Sequence, residues 1–214
     1  MIVAVVPAAG HATRLRGLIE GSKELVPVGA RPVIDHLLEL LEPADEIRVV
    51  LRPAKDDLIA HLDGRVELVH GEPRTVADSI ALGLEGLAGD DVVLVGFPDT
   101  LFGPPDAFER VLDALAYPYE VALGAFTFAE PSRSDVLELD GDRVARIDVR
   151  PSEPASNLVW GCFAARRRAL DGLERHDEPG VLLGELAEAG KVTAVRFDGE
   201  LQDLGTPETL AAAR

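Results

Sequence analysis

Residues 2–28 have the sequence IVAVVPAAGHATRLRGLIEGSKELVPV, and this stretch decides the fold. Ile2 to Val6 are apolar without alternation and rich in β-branched side chains, as in a strand that is buried on both faces of a parallel sheet. The residues from Pro7 to Ala12 are mostly small or rigid, so the backbone can pass close to a ligand and point its N–H groups at an anion. Arg14 and Lys23 add a guanidinium and an ammonium, which suit phosphate. The stretch therefore predicts a phosphate-binding loop at the carboxyl end of the first strand.

Two other phosphate motifs do not fit this stretch. Residues 17–23, GLIEGSK, have three residues between their glycines where a P-loop has four, and Glu24 stands where that motif has Ser or Thr. The dinucleotide pattern G-x-G-x-x-G is absent after the first strand, because only Gly10 precedes Gly17. A plain structural alternative is a strand followed by a surface loop whose cations are solvated.

The ordered strings PAAGHATRL and SKELVPV resemble the two-part N-terminal signature of the sugar-1-phosphate nucleotidyltransferases, G-x-G-T-R-L followed by P-K-x-L-x-P-V. Three departures occur: Ala12 replaces the second glycine, Gly17 stands where proline is common, and Ser22 stands where proline is usual. None of them removes a charge. The resemblance implies that Arg14 stabilises a leaving pyrophosphate and that Lys23 acts near the α-phosphate. It also implies a nucleotide-binding loop made of Ala8, Ala9, Gly10, His11, Ala12 and Thr13.

Composition narrows the class of partner. A chain of 214 residues fits one domain, and its 47% hydrophobic and 28% charged residues describe a soluble globule. The net charge of −17 argues against nucleic acid and anionic membranes as partners, because no basic cluster is present. The single cysteine, Cys162, excludes an intramolecular disulfide. The short apolar run that ends at Pro7 has no basic segment before it, so neither a signal peptide nor a membrane span is expected, and we predict a cytoplasmic protein.

Alternating strand and helix patterns predict an α/β fold. The predicted strands cover 2–6, 46–51, 66–69, 92–95, 121–128, 135–139, 143–149, 158–164 and 192–197. The predicted helices begin at Pro32 or cover 55–62, 76–87, 168–173 and 181–189. The resemblance implies a three-layer Rossmann-like nucleotide-diphospho-sugar transferase fold, with a mixed, mostly parallel sheet and helices on both faces. Within a single domain, 1–214, it implies a nucleotide-binding half, 1–100, and a sugar-phosphate-binding half, 101–214.

Two aspartates follow predicted strands and are candidate metal ligands. Asp99 in VLVGFPDT and Asp203 in LQDLGTPETL resemble the two metal aspartates of the family. Mg²⁺ is the implied cofactor, since it takes oxygen ligands from one or two carboxylates and from phosphates. If both bind one ion, we expect their carboxylates to converge to roughly 4 to 6 Å on one side of the cleft, facing Gly10 and Lys23. The structural alternatives are a turn at Asp99 and a helix cap at Asp203.

The segment HGEPRTVADSI, which starts at His70, corresponds to the base-recognition segment of the family, Q-x-x-x-x-G-x-A-x-A. His70 takes the place of the glutamine, Thr75 that of the glycine and Ser79 that of the last alanine. The resemblance implies that His70, Thr75 and Ala77 bind the nucleotide, and it favours a pyrimidine base, from dTTP or UTP. The alternative is the end of a strand followed by the first turn of a helix.

The acceptor site of the family uses an E-K-P string and an S-N-x-x-x-x-G segment, and here Val149-Arg150-Pro151 and SNLVWG correspond to them. The resemblance implies a sugar-phosphate site made of Arg150, Asn157, Trp160 and Gly161. Val149 cannot accept hydrogen bonds from hydroxyl groups as a carboxylate would, so Asp148 is an alternative acceptor. Trp160 forms either a wall beside the sugar ring or part of the core.

Three hypotheses about function follow. The first is an Mg²⁺-dependent nucleotidyltransferase that joins an NTP and a sugar 1-phosphate and releases pyrophosphate. The second is a cytidylyltransferase that acts on an alcohol phosphate such as phosphocholine. The third is a non-catalytic relative that binds nucleotide or sugar phosphate and regulates a partner, for which the departures at Ala12, His70, Thr75 and Val149 are the motive. The sequence leaves the base, the acceptor and the oligomeric state open.

Overall fold

A computed structural model describes residues 1–11, 17–206 and 209, which form an α/β fold. The described strands are β1 Ile2–Pro7, β2 Pro27–Val28, β3 Arg31–Pro32, β4 Glu46–Leu51, β5 Glu67–His70, β6 Val92–Gly96, β7 Thr100–Leu101, β8 Val121–Thr127, β9 Val136–Asp140, β10 Arg143–Asp148, β11 Leu158–Arg166, β12 Val192–Glu200 and β13 Gln202–Asp203. The described α-helices are α1 Val33–Leu40, α2 Asp56–Leu62, α3 Val76–Gly83, α4 Ala107–Ala114 and α5 Pro179–Glu188. No helix within these ranges is long and apolar enough to cross a membrane.

The main sheet is mixed, with the strand order β5-β4-β1-β6-β11-β8-β12-β10-β9. Strands β5, β4, β1 and β6 are parallel neighbours, and β8 is parallel to β12. Strand β11 is antiparallel to both β6 and β8, and β10 is antiparallel to both β12 and β9. All strands of the main sheet except β11 and β10 therefore run in one direction. This arrangement confirms the predicted α/β class and the mixed sheet.

The first strand is buried on both faces, as its unbroken apolar sequence predicts. Ala4 and Val6 belong to a core cluster with residues of α1, α2 and α4. Val5 belongs to a second cluster, with residues of α3 and α5. Because successive side chains of a strand point to opposite faces, these helices cover the two sides of the sheet.

Two helical segments differ from the prediction. Helix α4, Ala107–Ala114, was not predicted, because it presents only a short apolar face of Ala107, Phe108 and Val111. The predicted helix 168–173 is instead a pair of short 3₁₀ helices, Arg167–Leu170 and Leu173–Arg175. Gly172 separates them with φ +89°, a left-handed conformation that ends a helix.

Candidate active site

A cleft of about 740 Å³ opens at the carboxyl ends of β1 and β6. The carboxyl ends of parallel strands are where ligands bind in open α/β sheets. Pro7, Ala9, Gly10 and His11 line the cleft after β1, and Asp99 lines it after β6. The acceptor-side residues Arg150, Trp160 and Gly161 lie in the same cleft, together with Asp203. One cavity thus holds residues from both predicted halves.

A short β-ribbon brings the two candidate metal aspartates together. In the antiparallel pair β7–β13, Asp203 lies opposite Thr100, the residue that follows Asp99. The backbone N–H of Leu204 donates to the carbonyl of Asp99 at 2.9 Å, which ties the two segments at the site. Burial raises the pKa of Asp203 above its ordinary value, and the negative charge of Asp99 raises it further. The two carboxylates therefore interact electrostatically on one side of the cleft.

Lys23 lies between this acidic pair and the loop after β1. Its Nζ donates a hydrogen bond to Oδ2 of Asp99. A Cβ at Gly10 would lie 3.8 Å from Cε of Lys23, so the loop backbone packs directly against the lysine stem. Burial lowers the pKa of Lys23, but the charges of Asp99 and Glu24 outweigh this effect, and the pKa is raised. Burial likewise raises the pKa of Asp99, but Lys23 outweighs it, so that carboxyl has a lowered pKa and stays ionised.

The donor set at Asp99 and Asp203 fits magnesium. Within the described ranges, no group of three or more His, Cys, Asp or Glu side chains is arranged to hold a metal. An ion at this place would therefore have two protein carboxylates. Mg²⁺ is usually bound by one or two protein carboxylates, and it takes its remaining ligands from phosphates and water. The mutual repulsion that raises the pKa of Asp203 favours a cation here.

The predicted nucleotide-binding loop is only partly described. Ala12, Thr13 and the candidate catalytic residue Arg14 lie outside the described residues. Ala8, between the cleft-lining residues Pro7 and Ala9, is buried, and its carbonyl oxygen accepts a hydrogen bond from Nζ of Lys55 at 2.7 Å. It does not line the cleft, so its contribution is to fix the start of the loop.

The segment around α3 forms another wall of the cleft. Thr75 lines it and caps α3, since its Oγ1 accepts a hydrogen bond from the N–H of Asp78 at 3.0 Å. The branched side chain that replaces the family glycine therefore has a structural role at this helix start. His70 is exposed at the end of β5, and Ala77 is buried in the core; neither lines the cleft.

Two further residues of this wall were not among the predicted site residues. Arg52 lines the cleft and donates from Nε to the carbonyl of Ala9 at 2.8 Å and from Nη2 to the carbonyl of Pro73 at 2.6 Å. It thereby joins the loop after β1 to the loop before α3. Ser79 also lines the cleft, and its buried Oγ has no hydrogen-bond partner among the described residues.

At the acceptor end, Arg150 is held in a fixed position. Its guanidinium forms two contacts with Glu178, Nη1 to Oε1 at 2.7 Å and Nη2 to Oε2 at 3.0 Å. Its backbone has φ +42°, a left-handed conformation that is uncommon for any residue except glycine. Strained backbone of this kind persists where the surrounding structure enforces it, often at ligand sites.

Trp160 and Asp135 form a second pair at this end. The indole Nε1 donates to Oδ2 of Asp135 at 3.2 Å, and Trp160 is 7% exposed and packs near the ring of Phe97. Burial raises the pKa of Asp135 to about 6, with a further increase from Glu178 and an opposing effect of Arg150. Trp160 thus belongs to the core and also lines the cleft.

The remaining acceptor-side candidates lie in different places. Gly161 lines the cleft, and a Cβ there would lie 2.4 Å from Cδ1 of Leu201, so glycine is required by close packing. Asn157 is exposed and does not line the cleft. Asp148, the alternative acceptor, forms an ion pair with Arg146 at 2.6 Å and does not line the cleft either. Asp135 is a buried carboxylate that lines the acceptor end of the cleft. It is a lone acid in the string PSRSD, and nothing in that string predicts a functional role.

Comparison with known sequences assigns this fold and cleft to one class of transferase domain. The chain belongs to the MobA-like NTP transferase domain family, whose sequence model matches residues 4–182.

Individual relatives agree with this class. The chain is 30% identical over 227 residues to a protein assigned as a mannose-1-phosphate guanyltransferase from Sulfolobus acidocaldarius, covering 97% of this chain and 60% of that protein. It is 32% identical over 152 residues to a 2-C-methyl-D-erythritol 4-phosphate cytidylyltransferase from Laribacter hongkongensis, covering 67% of this chain and 64% of the relative. The chain spans about half the length of the first curated relatives that it matches.

A solved structure has the same fold. It belongs to a protein assigned as a glucose-1-phosphate thymidylyltransferase from Bacillus anthracis, and the TM-score is 0.87 at 18% identity, covering all of this chain and 94% of the other. At this level of identity the likeness concerns the fold.

Proposed function

We propose that this protein transfers a nucleotidyl group from an NTP to the phosphate of a sugar 1-phosphate and releases pyrophosphate. The observation that carries the proposal is the convergence of Lys23, Asp99 and Asp203 beside Gly10, at the carboxyl ends of β1 and β6. This set supplies a cation for phosphate and two carboxylates for a metal. The packing of α1, α2 and α4 against one face and of α3 and α5 against the other supports a three-layer, Rossmann-like description of the same domain.

The reaction needs positioning and charge compensation more than covalent chemistry. An oxygen of the acceptor phosphate attacks the α-phosphorus in line, and a new P–O bond forms as the bond to the bridging oxygen of pyrophosphate breaks. Pyrophosphate leaves with that electron pair. Lys23 binds the α-phosphate region, and Arg14 binds the leaving group. Mg²⁺ held by Asp99 and Asp203 would compensate charge at the α-phosphate.

The acceptor end of the cleft supports a hydroxyl-bearing phosphate as the second substrate. Arg150 offers a guanidinium for the acceptor phosphate, and Glu178 orients it through two contacts. Asp135 lies in the same cleft, and beyond its hydrogen bonds with Trp160 Nε1 and the backbone of Arg150 its two oxygens have further lone pairs, which would accept from acceptor hydroxyl groups where Val149 cannot.

We propose thymine or uracil as the base of the NTP, and this choice rests only on the resemblance of the N-terminal signature. The relatives named above are a guanyltransferase and a cytidylyltransferase, so GTP and CTP belong in the same test. The cytidylyltransferase relative is also the reason to include alcohol phosphates among the acceptors.

The test is pyrophosphate release from a matrix of dTTP, UTP, CTP, GTP and ATP against sugar 1-phosphates and alcohol phosphates, with Mg²⁺ or with EDTA. We expect one NTP and one acceptor class to give turnover that EDTA abolishes. Asp113→Asn, which removes an exposed carboxylate of α4 outside the cleft, is the control for variants of the site. Binding in calorimetry without turnover for any pair would favour the non-catalytic, regulatory hypothesis.

A further inference from the structure

Side chains at the start of α2 hold the backbone on both sides of Lys23. Ser22 precedes the lysine and contacts Asp57, while Glu24 follows it and contacts Lys55. We call Lys55 and Asp57 together the α2 clamp. Neither residue lines the cleft, so the clamp acts on the substrates indirectly, through Lys23, the loop beside it and the charge of Lys55, which contributes to lowering the pKa of Asp99.

The first half of the clamp is the carboxylate of Asp57. Its Oδ2 accepts from the N–H of Ser22 at 2.6 Å, and its Oδ1 accepts from Oγ of Ser22 at 2.7 Å. Oδ1 also accepts from the N–H of Leu58 at 2.8 Å, which fixes the carboxylate at the helix start. A Cβ at Gly21, where φ is +81°, would lie 2.3 Å from Oδ2 of Asp57, so the glycine permits this close approach.

The conformation of Ser22 connects this contact to the sequence. Ser22 stands where the family signature usually has proline, and its φ of −76° lies in the range that a proline ring enforces. The hydrogen bonds that Ser22 donates to Asp57 therefore hold the backbone in a conformation that the ring of a proline would enforce covalently. Asp57 of α2 thus compensates for the absence of proline at position 22.

The second half of the clamp is a buried ion pair. Glu24 is 0% exposed, and Nζ of Lys55 contacts its two oxygens at 2.8 and 2.9 Å. The same Nζ donates to the carbonyl of Ala8 at 2.7 Å. Lys55 thus joins the 3₁₀ helix Lys23–Leu25 to Ala8, which directly follows β1 and lies two residues before Gly10.

We infer that Lys55 and Asp57 are positioning residues for nucleotidyl transfer, which hold the Lys23 ammonium beside Asp99 and the Gly10 backbone. The inference rests on the proposed function. A lysine side chain has four rotatable bonds, so the position of its ammonium depends on a fixed backbone. A displacement of about 1 Å at a catalytic group lowers turnover by up to roughly 100-fold.

The first test compares Asp57→Ala with Asp56→Ala, which removes an exposed carboxylate one residue away that forms no hydrogen bond with Ser22 or Glu24 within the described part of the chain. We expect Asp57→Ala to lower kcat about tenfold with KM values within about threefold, and Asp56→Ala to leave both unchanged. Adding Ser22→Pro to Asp57→Ala restores kcat, because proline fixes φ and needs no partner for an N–H. Full activity of Asp57→Ala, or no recovery in the double variant, overturns the inference.

The second test removes the ion pair as a unit. Glu24→Met with Lys55→Met leaves neither an unpaired buried charge nor an unpaired amide at these two positions, and replacement of a buried ion pair by apolar residues of similar volume is often neutral for stability. We expect a folded protein by circular dichroism with kcat lowered about tenfold or more and with KM values little changed. A folded double variant with wild-type kcat overturns this half of the clamp.

A measurement without substrate separates failure of the clamp from failure of the proposed function. The N–H groups of Leu25 and Val26 bond to the carbonyls of Ser22 and Lys23, and their hydrogen exchange reports on this turn. We expect exchange there to be faster in Asp57→Ala and unchanged in Asp56→Ala. Unchanged exchange in both overturns the clamp. Faster exchange in a protein that shows no turnover with any substrate pair supports the clamp as a holder of Lys23 and counts against the proposed reaction.

Discussion

At the scale of single residues, Asp203 has the clearest expected phenotype. Asp203→Asn keeps the side-chain volume and an oxygen that can accept from the N–H of Gly205, which Oδ1 now does at 2.7 Å. It removes a charge that burial and Asp99 destabilise and that Arg133 attracts at 3.6 Å, and because burial and repulsion outweigh the attraction, the free energy of unfolding stays the same or rises. We expect turnover to fall by about 1,000-fold, with Tm unchanged within a few degrees. Full activity of Asp203→Asn in the pyrophosphate assay would show that the two-aspartate metal site is wrong.

In contrast to Asp203, we expect substitution of Lys23 to lower the free energy of unfolding, because its ammonium donates a hydrogen bond to the carboxylate of Asp99 in the cleft. Lys23→Met leaves Asp99 without its hydrogen-bond partner, and we expect a loss of about 2 kcal/mol in the free energy of unfolding. Adding Asp99→Asn removes the orphaned charge and recovers most of that loss, while activity stays abolished. Urea denaturation of the wild type, both single variants and the double variant measures this coupling. Additive effects on stability would contradict the pairing of these two side chains.

These residues also show how much of the site is predictable from sequence. Lys23 and Asp99 are predicted from the family resemblance, because each stands in an ordered string that resembles the family pattern, and Asp99 also follows a predicted strand. Asp135 does not, since its surroundings come from β11, α5 and the loop at Arg150, which are distant in sequence. The sequence around a single acidic residue does not predict which distant residues will surround it in the fold.

At the scale of elements, the local pattern of apolar residues predicts β1 and the strands around it. It does not predict elements that depend on contacts between residues distant in sequence. Strand β1 is predicted by its apolar run alone. The ribbon β7–β13 consists of two residues on each side, too few for any periodicity, yet it brings Asp203 to Asp99. The predicted helix 168–173 was wrong because Gly172 adopts positive φ, which a helical apolar pattern does not reveal.

Helix α5 offers an element-scale test of how its start packs against the acceptor site. A Cβ at Gly180 would lie 2.0 Å from Oδ2 of Asp135, so Gly180→Ala must displace the helix start or the carboxylate. We expect a loss of about 1 to 3 kcal/mol in the free energy of unfolding. Gly184→Ala in the same helix is the matched control, because its Cβ would meet only ordinary contacts, the nearest at 3.7 Å. That control gains up to about 1 kcal/mol from helix propensity.

Chemical denaturation of Gly180→Ala and Gly184→Ala measures both changes in the free energy of unfolding. Equal effects of the two substitutions would show that Asp135 and the start of α5 do not pack as described.

At the scale of the whole molecule, Asp135 makes stability depend on pH. Burial raises its pKa to about 6, so the folded protein binds this proton more tightly than the unfolded chain, and ionisation opposes folding. Its contribution to stability is therefore complete below about pH 4 and is lost as the pH rises to about 6. Asp135→Asn does not titrate and keeps an oxygen for Trp160 Nε1. We expect the variant to gain up to about 3 kcal/mol over the wild type between pH 4 and pH 7.

Urea denaturation of both proteins across this pH range measures the difference. Parallel curves would contradict a raised pKa at Asp135. If Asp135 also binds acceptor hydroxyls, the more stable Asp135→Asn has a higher KM for the acceptor, a trade between stability and function.

The double contact of Arg52 has a mechanical consequence. One guanidinium spans from the carbonyl of Ala9 to that of Pro73, and its two bonds of 2.8 and 2.6 Å meet at a rigid planar group. We therefore expect the thermal displacements of the two loops to be correlated and the gap between them to vary little in width. On that side, a gap of nearly constant width would limit the thickness of the group that can enter the cleft.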